Sequence, residues 1–540
     1  MMTWLPCTDP VPEEWSMSTD AAPAWSFRHH WMTQAATHAV MRPDRAALRY
    51  LGQTTTWSQL SRRSLRLAAA LAERGVAEGD RVATFTLNHP WFVESVFAAN
   101  SLGAMAVPLS FRLAPLELDY ILADCTPSAI VVDAPLLPLL RAVPTAAAIG
   151  TVIVIGDADA TEESYAYEEF LSAHEPMELL DIGEESTALI MYTSGTTGRP
   201  KGVMLSHRNL QMQAMTCIQA MEVFDDSDVG FLTAPFFHIA GLGSVVANFV
   251  VGGTVVIHPL GAFDPVAVLD AYEREGATVV FNVPQQWDRI CAQPDVGRRA
   301  LRLRIISWGA APASDSTLRA MAETFPDALN VAVFGQTETS PITCVLRGED
   351  SLRKLGSVGR PIPTLQCRIV DAFMNDVPVG EVGEIVYRGP SVTQGYWRKP
   401  QETAEAFAGG WFHSGDLVRQ DDEGFVWVVD RKKDMIISGG ENIYCAELEN
   451  AVAEHPSVLE VAVIGRSDER WGQVPVAFVT VAPGTELSLR ELTGFLDGRL
   501  ASFKMPKALV SVPELPRNAG GKVSKGVLRT QDATRAQEQA

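Results

Sequence analysis

The chain has 540 residues, too many for one compact core, so two or more domains are expected. Its hydrophobic content of 47% and charged content of 20% are ordinary for a globular protein. Lys+Arg 44 against Asp+Glu 65 give a net charge of -21, which disfavours DNA or RNA, since these need clustered cations on one face.

Seven cysteines, Cys7, Cys125, Cys217, Cys291, Cys344, Cys367 and Cys445, show no C-x-x-C spacing. They read as reduced thiols of a cytoplasmic protein, neither a disulfide framework nor a zinc site. The first fifteen residues lack a basic n-region and an apolar h-region, so no secretory signal is visible. The most apolar run, 244 to 257, falls short of the roughly 18 residues of a spanning helix and contains Asn248, Gly252 and Gly253. No transmembrane segment is expected, and peripheral membrane contact stays open.

In chain order, residues 1 to 25 carry Pro, Ser and acidic residues without a period and read as a flexible tail. Helical spacing then predicts helices over 58–73, 91–103 and 115–125, with strands over 80–87, 104–108 and 129–133 between and after them. A strand over 188–192 leads into a Ser/Thr/Gly-rich stretch and a helix starting near Ser206. Apolar strands follow over 229–233, 254–258, 278–282 and 303–308. Strands alternating with helices imply a layered α/β fold with parallel sheet. Past Pro361, short β-rich runs over 366–371, 383–388 and 425–429 suggest a small barrel-like subdomain. After the charged junction at Arg431, Lys432, Lys433 and Asp434 comes a compact α+β pattern. The expected domains are thus 26–432, with 362–430 as the β-rich part, and a C-terminal lid over 433–540.

Several stretches carry chemistry. Thr193, Ser194, Gly195, Thr196 and Thr197, followed by Gly198 and Lys201, set small hydroxyls and glycines beside an ammonium, suited to wrapping a polyphosphate. The stretch is not a Walker A loop, because Pro200 and Gly202 stand at the wrong places. Composition alone also fits a solvated surface loop. The run Pro235 to Gly241 places His238 among apolar residues, either as a satisfied core histidine or at the mouth of an apolar acid pocket. Gly309, Ala310 and Ala311 follow a buried strand and offer backbone to a flat ligand such as adenine. In FGQTETS, Phe334 offers a stacking ring, Thr337 a phosphate-binding hydroxyl and Glu338 a carboxylate for Mg2+; the bare T-E pair reads equally as a helix cap. Asp416 in WFHSGD could hold ribose hydroxyls or serve as a turn residue. Near the end, Lys522 follows two glycines within a run of cations, Arg499, Lys504, Lys507, Arg517, Lys522, Lys525 and Arg529, which reads as a solvated face or as a lid over phosphates.

Taken together, YTSGTTGRPKG, PFFHIAG, SWGAAP, FGQTET, WFHSGD, VVDRKKDMIISGGENIY and PRNAGGK resemble, in order and spacing, the adenylate-forming superfamily of acyl-CoA synthetases, nonribosomal adenylation domains and firefly luciferase. The likeness covers about residues 35 to 530 and is greatest to actinobacterial, especially mycobacterial, fatty-acid-CoA ligases. It implies the adenylate-forming enzyme fold, with a large layered α/β N-terminal domain, a small β-barrel-like subdomain and a small mobile α+β C-terminal domain. It also implies two steps: a carboxylate and Mg-ATP give acyl-adenylate and pyrophosphate, then the thiol of coenzyme A displaces AMP.

Carried onto this sequence, the resemblance makes Lys522 the cation bridging carboxylate and α-phosphate, Glu338 the Mg2+ ligand and His238 a catalytic residue at the acid pocket. Thr193, Ser194, Gly195, Thr196, Thr197 and Lys201 would hold the β- and γ-phosphates, and Thr337 the α-phosphate. Gly309, Ala310, Ala311, Phe334, Gly335 and Gln336 would flank the nucleotide, and Asp416 and Arg431 the ribose. Phe237, His238, Gly241, Trp308, Gly309 and Gly335 would line the acyl pocket. Rotation about Lys433 would bring Ser438, Gly439, Gly440 and Glu441 to a CoA channel.

Phe334 stands where tyrosine is frequent. Trp308 stands where many relatives carry a small residue, and it would close the acyl tunnel or line it. The implied activity is fatty-acid-CoA ligase, with fatty acid, ATP and CoA as partners and a monomer or homodimer as the assembly. The alternatives are an aromatic-acid CoA ligase and, less favoured, a fatty acyl-AMP ligase. A catalytically silent nucleotide-binding protein is disfavoured by the presence of Lys522, Glu338 and Asp416.

Overall fold

The structure is a computed structural model, and it describes residues 30–157, 164–193, 199–223, 225–439, 441–482, 484–518 and 522–539. The tail expected over 1–25 lies outside the described residues. The chain forms four sheets of nine, eight, four and five strands. The centre of the nine-stranded sheet is parallel: Thr254–Ile257, Val229–Leu232, Val279–Asn282, Ile305–Gly309 and Leu329–Gly335 lie side by side, and the antiparallel Ile342–Arg347 follows. The eight-stranded sheet is parallel through Met105–Pro108, Arg81–Phe85, Ala129–Asp133 and Thr151–Ile155. This is the layered α/β architecture that the alternation of elements implies.

Local chemistry sets the helix starts. Thr56 and Gln59 exchange side-chain and backbone hydrogen bonds of 3.2 and 2.8 Å, a capping box that opens Trp57–Glu73. That helix then buries Leu60, Ser64, Leu67 and Leu71 on one face. Ser206 and Asn209 do the same for His207–Met221. One core cluster joins the two large sheets, with Trp57, Phe97, Phe236, Leu242 and Val255 buried together. Among the described residues, no helix is long and apolar enough to cross a membrane.

Two elements differ from the sequence reading. The chain does not pass from the Ser/Thr/Gly stretch straight into a helix, because Lys201–Ser206 first forms a strand antiparallel to Thr187–Thr193. Asp416 does not sit in a turn but inside the strand Phe412–Gln420, where Gly415 at φ 71° and a register shift after Leu417 bend the strand without ending it. With Gln366–Val370, Gly383–Arg388 and Val426–Arg431, that strand makes a four-stranded antiparallel sheet, the form taken by the expected barrel-like part.

The last sheet is built on the long pair Val458–Asp468 and Gly472–Val481, packed by the helices Cys445–Ala453, Leu489–Leu496 and Lys525–Gln539. The cationic run falls in this part and is largely neutralised there. Arg499 pairs with Glu454, Lys504 with Glu447, Arg517 with Glu460, Lys525 with Glu449 and Arg529 with Asp434.

Candidate active site

The parallel strands Ile305–Gly309 and Leu329–Gly335 end side by side, and their last residues have no side chain for a packing reason. A Cβ on Gly309 would lie 2.3 Å from the Val333 carbonyl oxygen, and one on Gly335 would lie 1.8 Å from that of Pro341. Beyond Gly309, Ala310 adopts φ 64°, a left-handed conformation costing a non-glycine residue about 1–3 kcal/mol. The backbone at Gly309, Ala310 and Ala311 thus turns over and leaves an open edge on which a flat ring can lie. Phe334 is half-buried beside it.

Residues Thr337–Thr339 form a single turn held from outside. The Thr393 N–H donates to the Glu338 carbonyl at 2.7 Å, and the Ser340 hydroxyl donates to the Ser391 carbonyl at 2.8 Å. The Glu338 carboxylate accepts a hydrogen bond from the Tyr396 hydroxyl at 3.1 Å. Burial holds its pKa above the usual carboxylate value, opposed by Tyr396 and by the charges of Arg431 and Lys201. The Lys201 ammonium lies 5.1 Å from the centroid of the Tyr396 ring. A carboxylate so desolvated gains from a cation beside it. Mg2+ is commonly bound through one or two carboxylates plus phosphate oxygens and water, and the desolvated Glu338 carboxylate fits such a role.

Asp416 and Arg431 stand opposite each other on neighbouring strands, and the Arg431 Nε lies 2.8 Å from Asp416 Oδ1. The Asp416 side chain is 2% exposed. Burial pushes its pKa up to about 6 against the opposing charges of Arg431 and Lys522. Glu384 braces this strand by accepting from the Gly415 N–H at 3.0 Å and pairing with Lys432 at 2.9 Å. Gln336 Nε2 donates to the Ser414 carbonyl at 3.4 Å, tying the Thr337–Thr339 turn to the same strand.

Lys522 belongs to the C-terminal part yet reaches this group. Its N–H donates to Asn518 Oδ1 at 3.0 Å, and the Asn518 N–H donates back to the Lys522 carbonyl at 2.8 Å. Although Lys522 keeps an exposed surface, the protein crowded around it and the Arg431 charge hold its ammonium below the usual lysine range, with Asp416 opposing. The same ammonium, together with Arg112, acts on His238, whose pKa falls to about 4, mainly through burial. His238 is therefore neutral near pH 7, a hydrogen-bonding group and not a charge. Its ring packs at 4.5 Å on Phe237, which packs at 5.5 Å against Phe111.

Thr193 and Lys201 face each other at the neck of the Ser/Thr/Gly stretch, while Ser194, Gly195, Thr196 and Thr197 lie outside the described residues. Lys433 is exposed just after the strand Val426–Arg431. Ser438 and Glu441 pair across a hairpin of the last sheet, the Gly439 N–H donates to the Trp471 carbonyl at 2.7 Å, and Gly440 lies outside the described residues.

Strand alternation puts Trp308 with Ile306 on the face packed by Leu318 and Met321, opposite Ile305, and its indole N–H donates to Asn330 Oδ1 at 2.9 Å. Tyr396, Glu384, Phe111 and Arg112 were missed by the sequence reading. Only Tyr396 left a signal there, as an aromatic residue after Gly395 in a run otherwise without motif.

Two family models match the chain: AMP-binding enzyme over residues 35–397 and AMP-binding enzyme C-terminal domain over 447–522. The chain is similar to a feruloyl-CoA synthase from Amycolatopsis sp, with 41% identity over 91% of this chain and 96% of that protein. It is also similar to a long-chain-fatty-acid–CoA ligase from Mycobacterium tuberculosis, with 35% identity over 88% of this chain and 93% of that one. Among solved structures, o-succinylbenzoate coenzyme A synthetase from Bacillus subtilis, in complex with ATP and magnesium ion, aligns with a TM-score of 0.81 and 31% identity, covering 94% of this chain and 99% of that one. The relatives thus span aromatic-acid and fatty-acid ligases, which corrects the narrower likeness to mycobacterial fatty-acid ligases.

Two outcomes are expected from this geometry. Tyr396→Phe removes a hydrogen bond to the Glu338 carboxylate, so the Mg2+ concentration giving half-maximal ATP–pyrophosphate exchange rises about tenfold; an unchanged Mg2+ titration counts against Glu338 as the ligand. If Asp416 accepts from the ribose hydroxyls, adenosine, which carries no phosphate to titrate, should bind more weakly as pH falls through about 6, where Asp416 protonates. Calorimetry on Asp416→Asn should show weak binding without that pH dependence.

Proposed function

The chain belongs to the AMP-binding enzyme family, and from that premise we propose that it joins aromatic carboxylic acids to coenzyme A. It is an AMP-forming acid–thiol ligase, with ATP, taken with Mg2+, and CoA among its substrates. In the first step a carboxylate oxygen attacks the α-phosphorus of ATP and pyrophosphate leaves. In the second the CoA sulfur attacks the acyl carbon, the thiol proton is lost and AMP leaves.

The difficulty of the first step is electrostatic, since one anion must approach another. Lys522 supplies the charge between carboxylate and α-phosphate. Asp416 and Arg431 hold the ribose, Gly309 to Ala311 and Phe334 to Gln336 flank the nucleotide, and Thr337 meets the α-phosphate. Thr193 to Thr197 with Lys201 take the pyrophosphate end, and Glu338 would hold Mg2+, which when bound offsets phosphate charge. Neutral His238, with Phe237, Gly241, Gly309 and Gly335, borders the acid. For the second step, rotation about Lys433 withdraws Lys522 and presents Ser438 to Glu441 to the CoA arm.

The observation that carries the aromatic substrate is the likeness to relatives: identity to the feruloyl-CoA synthase, 41%, exceeds that to the long-chain-fatty-acid–CoA ligase, 35%. A small gap of about 10 Å³ between Ser244, Val279, Phe281 and Ser307 has room for about one water. A fatty acid is the second reading, favoured by the similarity to the long-chain-fatty-acid–CoA ligase.

A panel of acids from acetate through long-chain fatty acids to benzoates, ferulate and indoleacetate, scored separately for pyrophosphate release and for CoA thioester, decides between them. Ferulate-type acids should lead, and strong turnover of long-chain acids with none of aromatic acids overturns the substrate. Lys522→Ala should slow adenylation about 10²–10³-fold while thioester formation from supplied acyl-adenylate persists; equal loss in both half-reactions is incompatible with the role given to Lys522.

A further inference from the structure

We propose that Asn88 is a positioning residue that sets the acid-binding loop and, through it, His238. Asn88 follows the strand Arg81–Phe85 of the eight-stranded sheet, far from every motif of the site, and is 1% exposed. Its Nδ2 donates to the Ala234 carbonyl at 2.8 Å, and its Oδ1 accepts from the Phe236 N–H at 2.9 Å. A single primary amide thus pairs with one carbonyl and one N–H of the segment that leads into Phe237 and His238, as a neighbouring strand would. One orientation of the amide is fixed by the groups it meets, since a flipped amide would set donor against donor and acceptor against acceptor.

The amide is itself held rigidly. Asp133, at the end of the neighbouring strand Ala129–Asp133, accepts from the Leu87 N–H at 2.7 Å with one oxygen and lies 2.7 Å from His89 Nε2 with the other. One buried carboxylate therefore grips the residues on both sides of Asn88. A second contact runs in parallel: the Phe92 ring stacks on Phe236 at 4.5 Å with an interplanar angle of 2°. Past Phe236, the Pro235 carbonyl accepts from the His238 N–H at 3.1 Å, so a displacement of the loop at Ala234 or Phe236 carries His238 with it. His238 acts through its place beside Lys522 and the acid, and Asn88 acts through His238. This role rests on the ligase reading for its effect on catalysis, while the geometry of the clamp does not.

The test uses the full chain with Asn88→Ala and Asn88→Asp, and Phe92→Leu as the variant that weakens the same loop without touching the amide. Three quantities are read: KM for ferulate and for dodecanoate in ATP–pyrophosphate exchange, KM for ATP in the same assay, and the titration of the His238 imidazole by NMR of 13C-labelled histidine. Loss of the pair of hydrogen bonds should raise the acid KM about tenfold while the ATP KM stays within about twofold. The His238 pKa should climb from about 4 toward the ordinary histidine value as its ring becomes better hydrated. Asn88→Asp keeps an acceptor for Phe236 but faces the Ala234 carbonyl with a second oxygen, so it should show the same split. Phe92→Leu should show it in a weaker form, about threefold, and decides the matter if the Asn88 variants do not fold. Acid and ATP KM values rising together, or an unmoved acid KM, overturn the role. If neither acid drives exchange in the unaltered protein, the ligase reading of the substrate fails, and an unchanged His238 titration in the variants would still refute the clamp on its own.

Discussion

The site depends on one buried carboxylate. Asp416 is shut away from water inside a strand, and its pKa, displaced from 3.8 to about 6, corresponds to a cost of about 3 kcal/mol for keeping it ionised at neutral pH. The sign follows from linkage: the folded state binds this proton more tightly, so the contribution of Asp416 to stability is intact below about pH 4 and is lost as pH rises through about 6. Such a charge persists only where cations meet it, and the chain supplies them from two directions. Arg431 reaches it across the sheet and Lys522 from the C-terminal part. The register of the strands Phe412–Gln420 and Val426–Arg431 is therefore tied to chemistry as well as to packing, because a slip of one residue would turn Arg431 to the other face.

Much of this was legible in the sequence. The alternation of apolar runs gave the parallel sheets, since a buried strand such as Ile305–Gly309 and a capped helix such as Trp57–Glu73 each carry their own period and their own start signal. The stretches holding Glu338, Asp416, Arg431 and Lys522 were recognisable because glycines and charged residues in fixed order stand out from core sequence. What escaped were relations between distant segments. The partner of the Trp308 indole could not be read beforehand, because the face on which a strand residue lies follows from its neighbours and Asn330 is 22 positions away. Asp416 could also be read as a turn residue, because Ser-Gly-Asp is turn chemistry; the partner strand that sets Arg431 opposite it begins at Val426.

The same limit explains why the supports of the site went unseen. Tyr396 meets Glu338 from 58 positions away, and Asn88 meets the loop before His238 from 148 positions away. Neither residue type is chemically conspicuous. Each matters because a short loop at the end of a parallel strand has few hydrogen bonds of its own and takes its shape from outside. In this molecule the groups suited to chemistry are on loops and strand ends, and their positions are set by buried polar side chains on the elements that pack against them.

Lys522 is the exception, since it is tied to the site by charge more than by structure. Other cations of its segment have acidic partners within the C-terminal part, whereas Lys522 projects toward Asp416, Arg431 and His238. There its ammonium is destabilised by crowding and by Arg431, with Asp416 in its favour. A carboxylate and a phosphate placed between these groups would supply the missing negative charge, so bound acid and ATP strengthen the very placement that the reaction uses. Once the carboxylate has become a neutral acyl group and pyrophosphate has gone, less negative charge holds the lysine in place. On the proposed rotation, a lysine with less negative charge around it is easier to withdraw after adenylation than before it, which is the order that two reactions sharing one site require.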